Sequence, residues 1–309
     1  MRILVTGAAG FVGRHLCAHL RASGHDVTPL TSVRSGGDVA VDLREQALVG
    51  SVFARTNPDA VVHLAARYSP KGLEDMEALV SENVAVARNV LAAAYASVPR
   101  ARVILMSSSA VYGPVPRERN PIGEGEPLRP VLPYGASKAA VEAIASVYRA
   151  QGLDVVVARA FNLAGPGQGP ATVPASFASR IANAKRTGTH TITVGNLTTS
   201  RDFTDVRDAV RALERLLVAA PDYGPYNVCA GMPRVIGDIL ADLQRIAGTA
   251  LTVVSQLASP ERNAIDVAYQ CGNRRKIYEA VGWEPCIEWD ETVRSVMNDW
   301  ERRVREGVP

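Results

Sequence analysis

The chain has 309 residues, 47% of them apolar and 21% charged, with a net charge of +3, so it can bury a sizeable core in one large domain or two modest ones. The basic excess is small and scattered, which excludes the dense cationic face that nucleic acid requires, and no apolar run approaches the ~20 residues that cross a bilayer. The cysteines Cys17, Cys229, Cys271 and Cys286 show no zinc-ligand spacing and the N-terminus no charged-then-apolar leader, so the expectation is reduced thiols, no metal and a cytoplasmic protein without a membrane partner.

In chain order, strands are predicted over 3–5, 27–30, 60–64, 103–106 and 155–158, with helices over 13–21, 76–96 and 134–149 between them. This alternation predicts an α/β fold, a doubly wound parallel sheet of the Rossmann type. Its continuous Val/Ile/Leu strands suit a sheet covered on both faces. A Gly/Pro-rich loop at 165–170 ends the rhythm. Helices over 175–184, 206–219, 236–246 and 290–305 then alternate irregularly with short strands. The expected division is a nucleotide-binding domain over 1–163 and a smaller mixed α/β substrate domain over 164–309. Part of 191–228 is expected to return to the first domain. The helix over 290–305, amphipathic and charged, reads as a solvated surface helix.

The first strand runs into Thr6-Gly7-Ala8-Ala9-Gly10-Phe11-Val12-Gly13 and then a helix. Glycines at 7, 10 and 13 let the backbone turn tightly and approach a pyrophosphate, while the helix N-terminus offers unpaired N–H groups. This arrangement points to a dinucleotide. The second strand ends Leu30-Thr31-Ser32-Val33-Arg34 without the carboxylate that would bind a ribose 2′-hydroxyl. Arg34, with Thr31 and Ser32 as hydroxyl donors, suits a 2′-phosphate instead, which favours NADP(H) while leaving NAD(H) open.

Tyr134-Gly135-Ala136-Ser137-Lys138 sets a tyrosine and a lysine at i and i+4, on one helix face. A free phenol, with a pKa of about 10, is a poor base at neutral pH. A neighbouring ammonium and an oxidised nicotinamide are expected to stabilise the phenolate. Tyr134 then moves a proton while hydride moves at the nicotinamide, and Lys138 can also bond the nicotinamide ribose.

Taken together, TGxxGFxG, the Tyr-x-x-x-Lys about 120 residues later, and the Ser107-Ser108-Ser109-Ala110-Val111-Tyr112-Gly113 strand end resemble the extended short-chain dehydrogenase/reductase family, the NAD-dependent epimerases and dehydratases. The resemblance implies that Ser108, or Ser109 beside it, bonds the reacting oxygen and completes a triad with Tyr134 and Lys138. It also implies cofactor contacts from Phe11, Val12, Asp42, Leu43, Leu64, Ala65 and Ala66. The dehydratases of the family carry an acid just after the triad hydroxyl; here Ser109-Ala110 follow, so dehydration is not expected.

Arg159-Ala160-Phe161-Asn162 through Gln168, and Val194-Gly195-Asn196 followed by Thr199 through Val206, resemble the family's substrate segments. They imply substrate contacts from Ser108, Ser109, Asn162, Val194 and Arg201, and from Arg262 and Asp266 further on. Across the whole chain the pattern is most similar to members that reduce GDP-4-keto-6-deoxy-D-mannose. The resemblance therefore implies a nucleotide-sugar 4-ketoreductase, with a UDP-sugar 4-epimerase as the alternative. It also implies a homodimer packed through the helices over 76–96 and 134–149.

Overall fold

The computed structural model describes residues 1–32, 39–68, 73–256 and 267–308. Arg34, Arg262 and Asp266 lie outside the described residues. The first part of the chain runs β1 (Arg2–Thr6), α1 (Phe11–Ala22), β2 (Asp26–Thr31), β3 (Val39–Ala40), α2 (Gln46–Thr56), β4 (Ala60–His63), α3 (Met76–Ser97), β5 (Arg102–Ser108), α4 (Pro133–Ala150) and β6 (Val155–Ala160). It continues through β7 (Asn162–Ala164), α5 (Val173–Thr187), β8 (Thr191–Val194), β9 (Ser200–Asp205), α6 (Val206–Ala219), β10 (Tyr226–Val228), β11 (Pro233–Val235), α7 (Ile236–Ala247), β12 (Thr252–Ser255), α8 (Arg275–Val281) and α9 (Trp289–Glu306).

Seven parallel strands form the main sheet in the order β10-β6-β5-β4-β1-β2-β3. β4 and β6 are buried along their whole length, His63 and Arg159 included, and their stretches over 60–62 and 155–158 read as apolar runs. Leu16 and Leu20 of α1, Leu213 and Leu216 of α6 and Ile277 of α8 cover one face. Val52 and Phe53 of α2, Leu91 and Ala94 of α3 and Val141 and Ala145 of α4 cover the other. The strand order reverses between β1 and β4, and ligands of open α/β sheets bind at the C-terminal ends of the strands flanking that reversal. α6, β10 and α8 all pack on this sheet although they follow residue 163.

The remaining elements form a smaller lobe. α5, α7 and α9 enclose a core that includes Phe177, Ile181, Leu240, Leu243, Met297 and Trp300. β8 pairs with β12, and β9 lies between β7 and β11. The expectation for the 290–305 helix is corrected here. Its charged residues dominate the composition, but Val293, Val296, Met297 and Trp300 recur at helical spacing and are buried. α9 is thus a wall of the second core. α2 was not expected either: Gly50 lowers its helix propensity, and burial of Val49, Val52 and Phe53 offsets that cost.

Candidate active site

The glycine loop lies at the sheet's reversal point. Gly7 has φ +70°, and a Cβ there would lie 2.8 Å from the Ala65 backbone nitrogen. A Cβ on Gly13 would lie 2.2 Å from the Gly7 carbonyl oxygen. These two glycines let β1, α1 and the exit of β4 meet backbone to backbone. Gly10 is the N-cap of α1 and has no capping side chain, and Phe11 and Val12 open the helix. The first turn of α1 thus offers N–H groups and a positive dipole end to an anion, which fits a dinucleotide pyrophosphate. Arg14 and His15 reach across to the carbonyls of Gly167 and Pro166, at 3.0 and 2.8 Å, and tie this helix to the Gly/Pro-rich loop.

The β4 exit is fixed from below. Leu64 N–H donates to the Thr6 carbonyl and Ala65 N–H to the Thr6 hydroxyl, both at 3.3 Å. That hydroxyl lies 2.7 Å from His63 Nδ1. With the imidazole neutral, Thr6 can accept from Ala65 N–H and donate to His63 Nδ1 at once. Burial, with the Lys138 charge nearby, pushes His63 down to about 3, so neutral is its state across the physiological range. Ala66 follows and is exposed.

At the β2 end, Thr31 is turned inward and buried, and Ser32 is the exposed hydroxyl. Asp42 is gripped by Arg44 at 2.6 to 3.1 Å, and this pairing pulls its carboxyl down to about 2. The Leu43 carbonyl accepts from buried Asn89.

Tyr134 and Lys138 occupy the first turns of α4, which starts with Pro133, a residue suited to a helix N-terminus. The Lys138 ammonium donates to the Met106 carbonyl at 2.8 Å and stands 5.8 Å from the centre of the Tyr134 ring. The next contact explains Gly135: a Cβ there would lie 2.4 Å from the Ala110 carbonyl oxygen. The β5 end carrying Ser108 is therefore pressed against the turn carrying Tyr134. Ser108 accepts from Ala110 N–H at 3.2 Å, and its own proton has no acceptor among the described residues. Ser109 is more deeply buried and donates to Gln270 at 3.3 Å.

The electrostatics depart from expectation in one respect. Burial pushes the Tyr134 phenol up to about 12, with Tyr68 adding to the shift, and pushes Lys138 down to about 8 against the pull of Glu142. Without bound ligands, Lys138 does not bring Tyr134 toward neutrality. Desolvation by burial is the largest cause of both shifts. The Tyr134 phenol is therefore protonated at neutral pH.

On the substrate side, Asn162 donates to the Asp202 carbonyl at 3.0 Å, and Arg201 donates to the Ser200 carbonyl at 3.0 Å while staying partly exposed. Asp202 is a buried knot that accepts from the backbone of Ala230, Gly231 and Gly272; burial still raises it to about 6. Strand alternation turns the Val194 side chain, with that of Ile192, into the second core, and the Val194 carbonyl accepts from Gln256 N–H.

Sequence reasoning missed Glu142, Asn83 and Tyr68 in this region. Glu142 accepts from Ser107 and Arg159 beneath the triad, and Arg159 extends the network to Tyr112 and Asn227. Asn83 is a buried amide on α3, and Tyr68 stands beside Tyr134. A signal existed for Glu142, which follows Lys138 by one helical turn, and for Asn83, a polar residue in an apolar helix pattern. Tyr68 carries no sequence signal.

A Rossmann sheet with a glycine loop at its reversal point and a Tyr/Lys pair on the neighbouring helix defines a nucleotide-cofactor oxidoreductase. The chain belongs to the NAD dependent epimerase/dehydratase family, whose model matches residues 3–229. It is 35% identical over 308 residues to the GDP-6-deoxy-D-mannose reductase of Pseudomonas aeruginosa, covering 99% of both chains. It is 27% identical to a UDP-glucose 4-epimerase of Rhizobium meliloti, covering 99% of this chain and 98% of that one. The solved structure of RMD from Pseudomonas aeruginosa complexed with NADPH superposes with a TM-score of 0.88 at 33% identity, over 98% of this chain and 99% of that one. The Thermus thermophilus UDP-glucose 4-epimerase complex with NAD gives 0.84 at 31%, over 97% and 99%. The protein is an NAD(P)-dependent oxidoreductase. Among the described residues, no helix is long and apolar enough to cross a membrane.

Proposed function

We propose that the protein is a nucleotide-sugar 4-ketoreductase that converts GDP-4-keto-6-deoxy-D-mannose to a GDP-6-deoxyhexose, GDP-D-rhamnose, with NADPH as the preferred reductant. The observation that carries this reading is the end-to-end similarity to the P. aeruginosa reductase. The protonated state of Tyr134 supports it, because ketone reduction consumes a proton.

In this reading Gly7, Gly10, Phe11, Val12 and Gly13 hold the pyrophosphate, and Leu64, Ala65 and Ala66 line the nicotinamide half. When bound, the reduced nicotinamide supplies hydride for C4 of the sugar. Tyr134 gives its phenolic proton to the C4 oxygen as the carbonyl becomes an alcohol. Ser108 donates its free proton to that same oxygen and holds it in line. Lys138 keeps a positive charge beside the phenolate that remains, anchored by the Met106 carbonyl. Asn162 and Arg201 bind the sugar and the diphosphate, with Arg201 using its fork of donors. Arg34 and the missing carboxylate at the β2 end support NADPH over NADH.

The test is NADPH oxidation with GDP-4-keto-6-deoxy-D-mannose, with the product's C4 configuration read by NMR. Absence of turnover would remove the reading. The relatives that are UDP-glucose 4-epimerases support a second reading, since the same three side chains serve epimerisation. NAD retained through purification, with conversion of UDP-glucose to UDP-galactose, would select it.

The proposed homodimer packs α3 and α4 against their copies. Tyr95 and Val147 on these helices are 44% and 62% exposed, so an apolar strip is available there. Light scattering that returns a monomer mass would reject the dimer.

A further inference from the structure

Tyr68 belongs to no motif, yet its ring meets the ring of Tyr134 edge to face, with centroids 5.3 Å apart and planes at 83°. It leaves the β4 exit just after Leu64, Ala65 and Ala66. Despite the contact, 54% of Tyr68 is exposed. A large aromatic surface thus stands open beside the proton donor.

The backbone behind Tyr68 is held with unusual economy. Asn83 is 3% exposed and uses its whole amide. Its Oδ1 accepts from Arg67 N–H at 2.7 Å, and its Nδ2 donates to the Arg67 carbonyl at 3.0 Å. The second Nδ2 proton goes to Ser137 Oγ at 3.0 Å, and Ser137 Oγ donates to the Tyr134 carbonyl at 2.8 Å. One buried side chain therefore locks the residue before Tyr68 to the helical turn that carries Tyr134. A surface loop needs no such lock for stability, since its backbone groups could bond water instead.

We propose that Tyr68 contacts the substrate as a specificity-determining residue, its ring forming the platform on which the apolar C–H face of the hexose packs beside Tyr134. Asn83 is the positioning residue that sets this platform relative to the proton donor. The chemistry favours a 6-deoxy sugar: a methyl at C6 extends the apolar edge that meets the ring, whereas a hydroxymethyl would bring a hydroxyl against it. This inference rests on the 4-ketoreductase reading above and adds the group that selects the sugar.

The experiment compares wild type with Tyr68→Phe and Tyr68→Ala. It measures kcat and KM for GDP-4-keto-6-deoxy-D-mannose and, by fluorescence titration, the NADPH Kd. Tyr68 is exposed, so neither substitution threatens folding. Expected are a near-normal Phe variant and an Ala variant with KM raised about tenfold, the order of an aromatic contact worth ~1.4 kcal/mol. The NADPH Kd stays unchanged. Asn83→Ala is expected to raise KM in the same direction, and adding it to Tyr68→Ala should cause little further loss. A wild-type KM in Tyr68→Ala, or an effect on NADPH Kd in place of KM, overturns the proposal while leaving the ketoreductase reading intact. A wild type without turnover overturns both.

Discussion

Ser107 donates a 2.5 Å hydrogen bond to Glu142, one helical turn beyond Lys138. The same carboxylate takes both prongs of Arg159, with side chains 9% and 6% exposed. Ser107 lies between Met106, the acceptor for Lys138, and Ser108. This buried pair therefore pins the β5 end to α4 and fixes the spacing of the three proposed catalytic side chains.

Glu142→Gln should accordingly damage more than stability. Removing one charge of a buried pair leaves the other uncompensated, at a cost of about 3–5 kcal/mol. Urea denaturation should show that loss as a lower midpoint. Glu142 is also the charge that holds the Lys138 pKa up, so in the variant the alkaline limb of kcat should move to lower pH. An unchanged pH profile with lowered stability would reduce Glu142 to a purely structural part.

Tyr134→Phe deletes the phenolic proton and little else. The expected fall in kcat is about 10²–10⁴-fold, the usual worth of a placed general acid, with KM for the nucleotide sugar nearly constant. Stopped-flow measurement of NADPH oxidation decides it. Retained turnover would remove Tyr134 from its assigned role.

The pH response should differ between the two directions of reaction. Reduction uses the phenol, which is the populated form far above neutrality because burial holds Tyr134 at about 12. Oxidation of the alcohol by NADP⁺ needs the phenolate, so its rate should climb with pH through the neutral range. Initial rates in both directions between pH 6 and 9 test this; a reduction rate that climbs equally would reverse the assignment.

His63 should make the fold acid-labile. Its folded value is about 3 against 6.5 when unfolded, so between those values the unfolded chain binds more protons. Stability from this group is complete above 6.5 and declines as pH falls toward 3, by ~1.4 kcal/mol per unit. His63→Gln removes that titration. Chemical denaturation at pH 7 and pH 4.5 should show a smaller drop for the variant than for wild type.

Gly13→Ala tests the cofactor cradle. The added methyl would collide with the Gly7 carbonyl at 2.2 Å, and backbone cannot yield cheaply. NADPH affinity by titration should fall by more than tenfold or the protein should lose its cooperative thermal transition. Normal binding would contradict the close approach.

Much of this protein was legible in one dimension, because some constraints are local. The β1 run, the three glycines and the Tyr-x-x-x-Lys each depend on spacing within one turn or one strand, and they landed where the periodicity placed them. Helix α6 begins and ends at the predicted residues because its apolar stripe is strong and Asp205 caps it. The choice between Ser108 and Ser109 was different in kind. What bears on it is Gln270, 161 residues beyond Ser109, which engages that hydroxyl, while the Ser108 proton has no acceptor among the described residues.

The sequence by itself therefore determined the sheet type, the glycine turn at its reversal point and the placing of Tyr134 and Lys138 on one helix face, since steric and helical periodicities act between near neighbours. Only the tertiary structure decided the protonation of that pair. Desolvation depends on what surrounds a group from every side, and in the protein without ligands burial raises Tyr134 to about 12. The same holds for α9, a charged composition with a buried stripe, and for Tyr68. Its place beside Tyr134 arises because Asn83, from a third element, ties two distant segments together.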